Sequence, residues 1–118
     1  MARTKQEEET FIKAFETYGE AHQLMILFEE MAELTKEVTK AIRYSKAKRR
    51  TQITEEIADV EIMLEQAKMI FGIADEDIEM FRLDKIVRLR EVLGIVPGYH
   101  QHEGDTIDAA SSKRKDIQ

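Results

Sequence analysis

The first 96 residues contain very few residues that force the chain to turn. The single proline is Pro97, and only three of the five glycines, Gly19, Gly72 and Gly94, come before it. A β protein of this length needs many tight turns, which Gly and Pro usually form. The long stretches between these glycines leave room for helices instead. We therefore predict an all-α fold.

Apolar residues recur at steps of three and four, which predicts about four helices. The first helix is expected at about 4–17 and the second at about 20–45. A basic segment, 46–50, follows, and Thr51 is the expected N-cap of the third helix.

The ends of the last two helices follow from glycine and capping residues. Gly72 is expected to end the third helix, and Asp75 is expected to cap the fourth. Gly94 and Pro97 then close the fourth helix. The apolar positions of the second, third and fourth helices are expected to be buried: Leu24, Leu27, Phe28, Met31, Leu34, Val38, Ala41 and Ile42; Ile53, Ile57, Val60, Leu64, Ala67 and Phe71; Ile78, Phe81, Ile86, Leu89 and Leu93.

These elements predict one helical-bundle domain at 1–96 and a polar, flexible tail at 97–118. A chain of 118 residues is too small to bury every apolar stripe by itself. We therefore expect the bundle to be completed by self-association into a homodimer or homotetramer.

Composition excludes several functional classes. A formal net charge of -6 disfavours nucleic-acid binding, which draws on a coherent basic surface. The sequence has no run of about 18 apolar residues for a membrane span, and its charged N-terminus lacks the apolar core of a signal peptide. The chain has no cysteine, which agrees with a reducing compartment. We expect a cytoplasmic protein.

Two pairs of carboxylates carry the chemistry that the sequence suggests. Glu30 and Glu33 are three residues apart on the second helix, and Glu56 and Asp59 have the same spacing on the third. Residues three apart lie on adjacent turns of one helix face. If the two helices pack antiparallel, both pairs converge on one site beside the apolar stripes.

At a helix–helix seam, either the pKa of a carboxyl group is raised or the carboxylate binds a cation, because a buried unpaired charge is costly. Hard oxygen ligands select Mg²⁺ or Mn²⁺, and Mg²⁺ is usually shared between protein carboxylates and substrate phosphates. The pattern therefore predicts a metal site for a phosphate-bearing substrate. By contrast, Glu55, Glu61 and Glu65 fall on the far side of the third helix, where we expect hydrated surface residues.

Glu-Glu-x-x-Glu at 29–33, followed after 22 residues by Glu-x-x-Asp at 56–59, resembles the MazG-like all-α nucleoside triphosphate pyrophosphohydrolases. The resemblance extends over roughly residues 10–95 and is closest to short bacterial or phage forms. It rests on TYGEAHQ (17–23), FEEMAELTKEV (28–38), EEIADVEIMLEQ (55–66) and KIVRLREVL (85–93).

This resemblance implies hydrolysis of nucleoside or deoxynucleoside triphosphates to monophosphate and pyrophosphate, as house-cleaning of nucleotide pools. It implies that Glu30, Glu33, Glu56 and Asp59 bind Mg²⁺ and are catalytic, assisted by Glu29. Whether Glu29 or Glu33 accepts the proton of the attacking water, or the metal alone lowers that water's pKa, stays open.

The resemblance also nominates residues for the substrate. Lys85 and Arg88 are implied to contact phosphates, and Gln23 is implied to approach the base or sugar. Exposed cations at this spacing are as often solubilising. The basic run at 46–50 is interpreted as cations favoured at a helix C-terminus. His22 is interpreted as a helix residue without a catalytic task, and His100 and His102 as inert.

Two other functions stay open. The chain is alternatively a non-catalytic helical interaction module that retains the fold, in which the carboxylates only clamp a divalent ion or remain surface charge. It is otherwise a pyrophosphohydrolase for a related nucleotide such as phosphoribosyl-ATP.

Overall fold

The computed structural model describes residues 2–95, and this part of the chain is all helical, without a strand. Its four helices are α1 (Lys5–Tyr18), α2 (Glu20–Arg43), α3 (Lys46–Phe71) and α4 (Asp75–Val92). The predicted all-α class is thereby confirmed. The predicted tail, 97–118, with His100 and His102, lies outside the described residues. None of the four described helices combines the length and apolar character that crossing a membrane requires.

Helix α1 begins and ends through local interactions that the sequence encodes. The Thr4 hydroxyl accepts a hydrogen bond from the Glu7 backbone N–H at 3.0 Å, and the Glu7 carboxylate accepts one from the Thr4 N–H at 3.2 Å. This capping box satisfies two backbone donors that a helix start leaves unpaired. The helix stops at Gly19, whose φ of 91° and ψ of 152° suit only glycine.

Helix α3 begins five residues earlier than the sequence predicted. It starts at Lys46, so Thr51 lies inside the helix and the prediction of Thr51 as N-cap is wrong. Lys, Ala and Arg are strong helix formers, and nothing in 46–50 interrupts them. The connection after α2 is only two residues long. The basic run at 46–50 therefore lies at a helix N-terminus, where the macrodipole disfavours cations. The interpretation of these residues as cations favoured at a helix C-terminus is wrong.

The helices belong to two structural units, Met1–Ala74 and Asp75–Gln118. In the first unit, α2 and α3 form an antiparallel hairpin: Gln23 near the start of α2 contacts Gln66 near the end of α3, whereas Glu37 contacts Arg49. Gly72 ends α3 as predicted, with a φ of 64° in the left-handed region.

Ala41 is buried in the seam between α2 and α3 as predicted, but most residues of this seam differ from those predicted. The seam buries Gln23, Glu37, Ala41, Met63 and Gln66. Several residues expected in the core are instead exposed: Phe28, Met31, Val38 and Ile42 on α2, and Ile57, Leu64 and Phe71 on α3. The apolar stripe of each helix is wider than one neighbouring helix can cover. The two helices face each other partly through polar side chains such as Gln23 and Gln66. The predicted burial of these seven side chains is therefore wrong.

The second unit contains α4, whose apolar side also differs from the prediction. Phe81, Ile86, Leu89 and Leu93 are exposed, and Ile78 is half-buried. The buried residue of this helix is Arg88. Three acidic residues in its first turn, Asp75, Glu76 and Asp77, complement the positive end of the helix dipole.

Candidate metal centre

Three of the four predicted metal ligands come together across the hairpin. Glu30 on α2 and Glu56 and Asp59 on α3 each offer one carboxylate oxygen, and these three oxygens lie within 4.8 Å of one another. Glu56 and Asp59 are one turn apart on α3, and Glu30 is opposite them because the helices are antiparallel. We call these three residues the acidic cluster.

Glu30 is half-buried, and its surroundings disfavour its ionised form. Burial raises the pKa of Glu30, and the negative charges of Asp59 and Glu56 raise it further. A hydrogen bond between the carboxyl groups of Glu30 and Asp59 acts in the same direction, as does the charge of Glu33. Two carboxyl groups share such a bond only when one carries a proton. The cluster therefore retains a proton more readily than separate carboxylates would.

Glu56 is also half-buried, and one of its oxygens is unsatisfied. Its Oε2 is buried and has no hydrogen-bond partner among the described residues. Burial raises the pKa of Glu56, and the charges of Asp59, Glu33, Glu37 and Glu55 add to this effect. A buried carboxylate oxygen without a donor is costly, and a cation would satisfy it.

The other two predicted catalytic carboxylates lie outside the acidic cluster. Glu33 is exposed, one turn after Glu30, and is close enough for its charge to raise the pKa of both Glu30 and Glu56. Glu29 is exposed on α2 and is not one of the clustered ligands.

Glu37 is a further carboxylate near the site, and it was not among the predicted site residues. Its side chain is buried and accepts hydrogen bonds from Arg49 Nη1 at 3.4 Å and from Lys40 Nζ at 3.5 Å. Lys40, three residues later, was the signal available in the sequence. Arg49 was not foreseeable, because 46–50 was expected to lie between the second and third helices and not within the third. Glu37 thus has its own cations, whereas no ion pair of the acidic cluster is found within residues 2–95.

Gln23, predicted to approach the base or sugar, has its polar atoms engaged inside the hairpin. Its Nε2 donates to Gln66 Oε1 at 2.8 Å, and its Oε1 lies 2.9 Å from His22 Nδ1. Gln66 Nε2 in turn donates to Met63 Sδ at 3.6 Å. The structure gives Gln23 a packing role, so a substrate contact would require these bonds to break.

The predicted phosphate ligands Lys85 and Arg88 belong to the second unit. Lys85 is exposed, as expected for either a ligand or a solubilising residue. Arg88 is buried, and its Nη2 lies 3.5 Å from Asp84 Oδ2. The Nε of Arg88 is buried without a hydrogen-bond partner among the described residues.

One of the three carboxylates expected on the hydrated side of α3 is in fact half-buried. Glu65 accepts a hydrogen bond from Arg3 Nε at 3.1 Å and also pairs with Lys68. The prediction for Glu65 was wrong because the N-terminal segment places Arg3 against this side of α3. Glu55 and Glu61 are exposed, as predicted.

The acidic cluster offers oxygen donors of the kind that hard divalent cations prefer. Exposed acidic groups are common without a metal, but here two of the three side chains are half-buried. No protein-family model, curated protein or solved structure matches this chain.

Proposed function

We propose that this chain is a divalent-metal-dependent nucleotide pyrophosphohydrolase, with Glu30, Glu56 and Asp59 as metal ligands. The observation that carries the proposal is the meeting of their three oxygens within 4.8 Å from two different helices. Burial raises the pKa of Glu30 and Glu56, and the repulsion between like charges this close together raises both further. A divalent cation would offset this repulsion and satisfy the unpaired Oε2 of Glu56.

Glu33 is the proposed fourth ligand or the base for the attacking water. Its exposed side chain is free to swing towards the cluster, one turn away on α2. Glu29 is a weaker candidate for the same proton transfer, because it lies outside the cluster.

The proposed substrates are nucleoside or deoxynucleoside triphosphates. Mg²⁺, or Mn²⁺ in its place, typically binds one or two protein carboxylates together with substrate phosphates. Water attacks at phosphorus, the bond between the α and β phosphates breaks, and pyrophosphate leaves. A divalent ion, when bound, lowers the pKa of that water and offsets the charge of the leaving group. Lys85 and Arg88 are proposed to contact phosphates, and Gln23 the base or sugar.

The proposal includes a MazG-like fold, a homodimeric or homotetrameric state and a cytoplasmic location. The fold and the assembly are proposed from the motif at 29–33 and 56–59 and from the size of the chain, and the location is proposed from the lack of cysteine. House-cleaning of the nucleotide pool is the proposed role.

Pyrophosphate release from a panel of triphosphates and phosphoribosyl-ATP, with Mg²⁺ or Mn²⁺, tests the proposal. We expect Glu30→Gln and Glu56→Gln each to lose at least about 100-fold in activity, since each removes charge that stabilises the transition state. Glu9→Gln, which changes an exposed glutamate of α1, is the control and should keep full activity. Circular dichroism should report the same helicity in all variants. Full activity in both cluster variants would refute the ligand assignment.

A non-catalytic interaction module is the second candidate, and it is favoured by the exposed apolar side chains of α2. The same panel separates the two functions. Metal binding without pyrophosphate release from any substrate would support the module.

A further inference from the structure

The seam between α2 and α3 changes in charge along its length. Gln23, Glu30 and Glu37 follow one another at intervals of seven residues on α2. On α3, Arg49 is seven residues before Glu56. Seven residues make almost two full turns, so the members of each row lie on one face of their helix. The hydrogen bond between Glu37 and Arg49 joins the two rows. An uncharged end of the seam is therefore followed by the acidic cluster and then by cations.

Lys40 and Arg49 form the basic end of the seam, and both are held only loosely. Lys40 Nζ lies 3.5 Å from one carboxylate oxygen of Glu37, and Arg49 Nη1 lies 3.4 Å from the other. Both distances exceed the usual value of about 2.9 Å, so these bonds are weak. The side chains of Lys40 and Arg49 are 34% and 32% exposed, whereas Glu37 is buried. An anion that approaches from the solvent can therefore reach both cations.

The basic end lies next to the acidic cluster within the same structural unit. The charge of Glu37, which both cations contact, is close enough to the cluster to raise the pKa of Glu56. Along the axis of α3, Arg49 and Glu56 are about 10 Å apart. A chain of phosphates that is held at the cluster can cross this gap, because the side chains of arginine and lysine are themselves long.

We infer that Arg49 and Lys40 bind the terminal phosphate of the substrate and thereby select triphosphates over diphosphates, an inference that rests on the proposed function. The phosphates then run along the seam from the acidic cluster to the basic end, and the nucleoside lies towards Gln23. A diphosphate held at the cluster ends before it reaches the two cations. After the bond between the α and β phosphates breaks, both cations stay with the pyrophosphate and offset its charge.

Glu37 orients the two cations without occupying them fully. Arg49 meets Glu37 through Nη1, and a guanidinium group has further N–H donors that suit the oxygens of a phosphate. The ammonium group of Lys40 likewise has three N–H donors. Two cations and one carboxylate leave a formal excess of one positive charge. The basic end therefore remains attractive to a phosphate while Glu37 holds it in place.

A purely structural role explains the basic end less well. One cation would be enough to compensate the charge of Glu37, but two are present and both remain partly in solvent. Arg49 also lies in the first turn of α3, where the macrodipole disfavours a cation. A bound phosphate would reverse that effect, because an anion is stabilised at a helix N-terminus.

The kcat/KM values for the triphosphate and the diphosphate of one nucleoside, measured in Mg²⁺, test the inference. Arg49→Ala should lower kcat/KM for the triphosphate at least about 10-fold, as expected for one lost charge-assisted hydrogen bond, and should change the value for the diphosphate little. Arg50→Ala is the matched control, because Arg50 is exposed and about 100° further round α3. It should keep the preference for the triphosphate. An equal loss on both substrates in Arg49→Ala would overturn the inference and leave the proposed function standing.

Glu37→Gln separates phosphate binding from the effect of the ion pair on the fold. Its amide oxygen still accepts a hydrogen bond from Arg49, so the preference for the triphosphate should persist. If Glu37→Gln loses the preference as fully as Arg49→Ala, the inference is wrong.

Calorimetric titration with inorganic pyrophosphate in Mg²⁺ measures the same contact without turnover. Arg49→Ala should weaken pyrophosphate binding at least about 10-fold, whereas Arg50→Ala should not. Binding of a nucleoside monophosphate should be the same in both variants. A natural chain that binds pyrophosphate through Arg49 but hydrolyses no nucleotide would refute the proposed function and retain the phosphate contact. Equal pyrophosphate affinity in the natural chain and in Arg49→Ala would overturn the inference.

Discussion

Gln23 and Gln66 join α2 to α3 through a hydrogen bond of 2.8 Å between two buried side-chain amides. Gln66 also donates to Met63 Sδ, and Gln23 lies within hydrogen-bond distance of His22. Gln23, Gln66 and Met63 are buried inside the seam of the hairpin, whereas His22 is exposed. A buried amide contributes stability only while its partner is present, since an unpaired one retains its full desolvation cost.

Gln66→Leu should therefore destabilise the protein by about 1–3 kcal/mol, because it leaves the Gln23 amide unpaired. The double variant Gln23→Leu/Gln66→Leu should lose less than the sum of the two single changes, since neither amide is then left alone. Urea unfolding followed by circular dichroism at one fixed protein concentration measures both effects. Additive losses would mean that the two amides do not depend on each other.

The acidic cluster predicts stabilisation by metal. A cation that binds only the folded protein stabilises it by about 1.4 kcal/mol at ten times its Kd, which follows from mass action. Mn²⁺ should therefore raise the Tm, and Glu30→Gln and Glu56→Gln should each abolish that rise. Differential scanning fluorimetry with and without Mn²⁺ measures the change in Tm of each variant. Glu9→Gln should respond like the natural chain, and an equal rise in all variants would place the metal elsewhere.

The acidic cluster also predicts that the stability of the metal-free protein depends on pH. Burial and like charge raise the pKa of Glu56 above its ordinary value of 4.5, so the folded protein binds this proton more tightly than the unfolded chain. The resulting cost to stability is present at neutral pH. It shrinks as pH falls from the raised pKa towards 4.5, and it is absent below 4.5, where both states bind the proton.

Glu56→Gln should consequently be more stable than the natural chain at neutral pH in EDTA, with a difference that shrinks as pH falls towards 4.5. Subtracting the two Tm curves removes the contributions of the carboxylates that do not interact with Glu56. A Tm difference that grows on acidification would contradict the sign of this argument.

Sequence reasoning located the helices well because their ends are encoded locally. The capping box at Thr4 and Glu7 and the glycine after Phe71 act over one turn of chain, so no tertiary information is needed. It failed at Lys46, because Thr51 was interpreted as the N-cap and the good helix formers before it were left outside the third helix. Charge disfavours burial, but it does not disfavour a helix.

The candidate site was predicted through spacing, whereas its surroundings were not. Three-residue spacing places Glu56 and Asp59 on one face, and an antiparallel partner brings Glu30 to them. The rotation of each helix about its axis depends on which part of a broad apolar stripe meets a neighbour. That choice is tertiary, so the exposure of Phe28 and the burial of Gln23 carried no signal in a single sequence.

The ion pair between Glu37 and Arg49 compensates a buried negative charge near the acidic cluster. Glu37 is buried and its carboxylate accepts from Arg49 at 3.4 Å, so Arg49→Ala should destabilise the protein by about 1–3 kcal/mol by leaving that charge less compensated. Lys48→Ala, which changes an exposed cation of the same segment, should cost little. Replacing both partners by Glu37→Leu/Arg49→Met should recover much of the loss, because no buried charge remains. Urea unfolding at fixed concentration compares the variants, and equal effects of Arg49→Ala and Lys48→Ala would show that the ion pair contributes nothing.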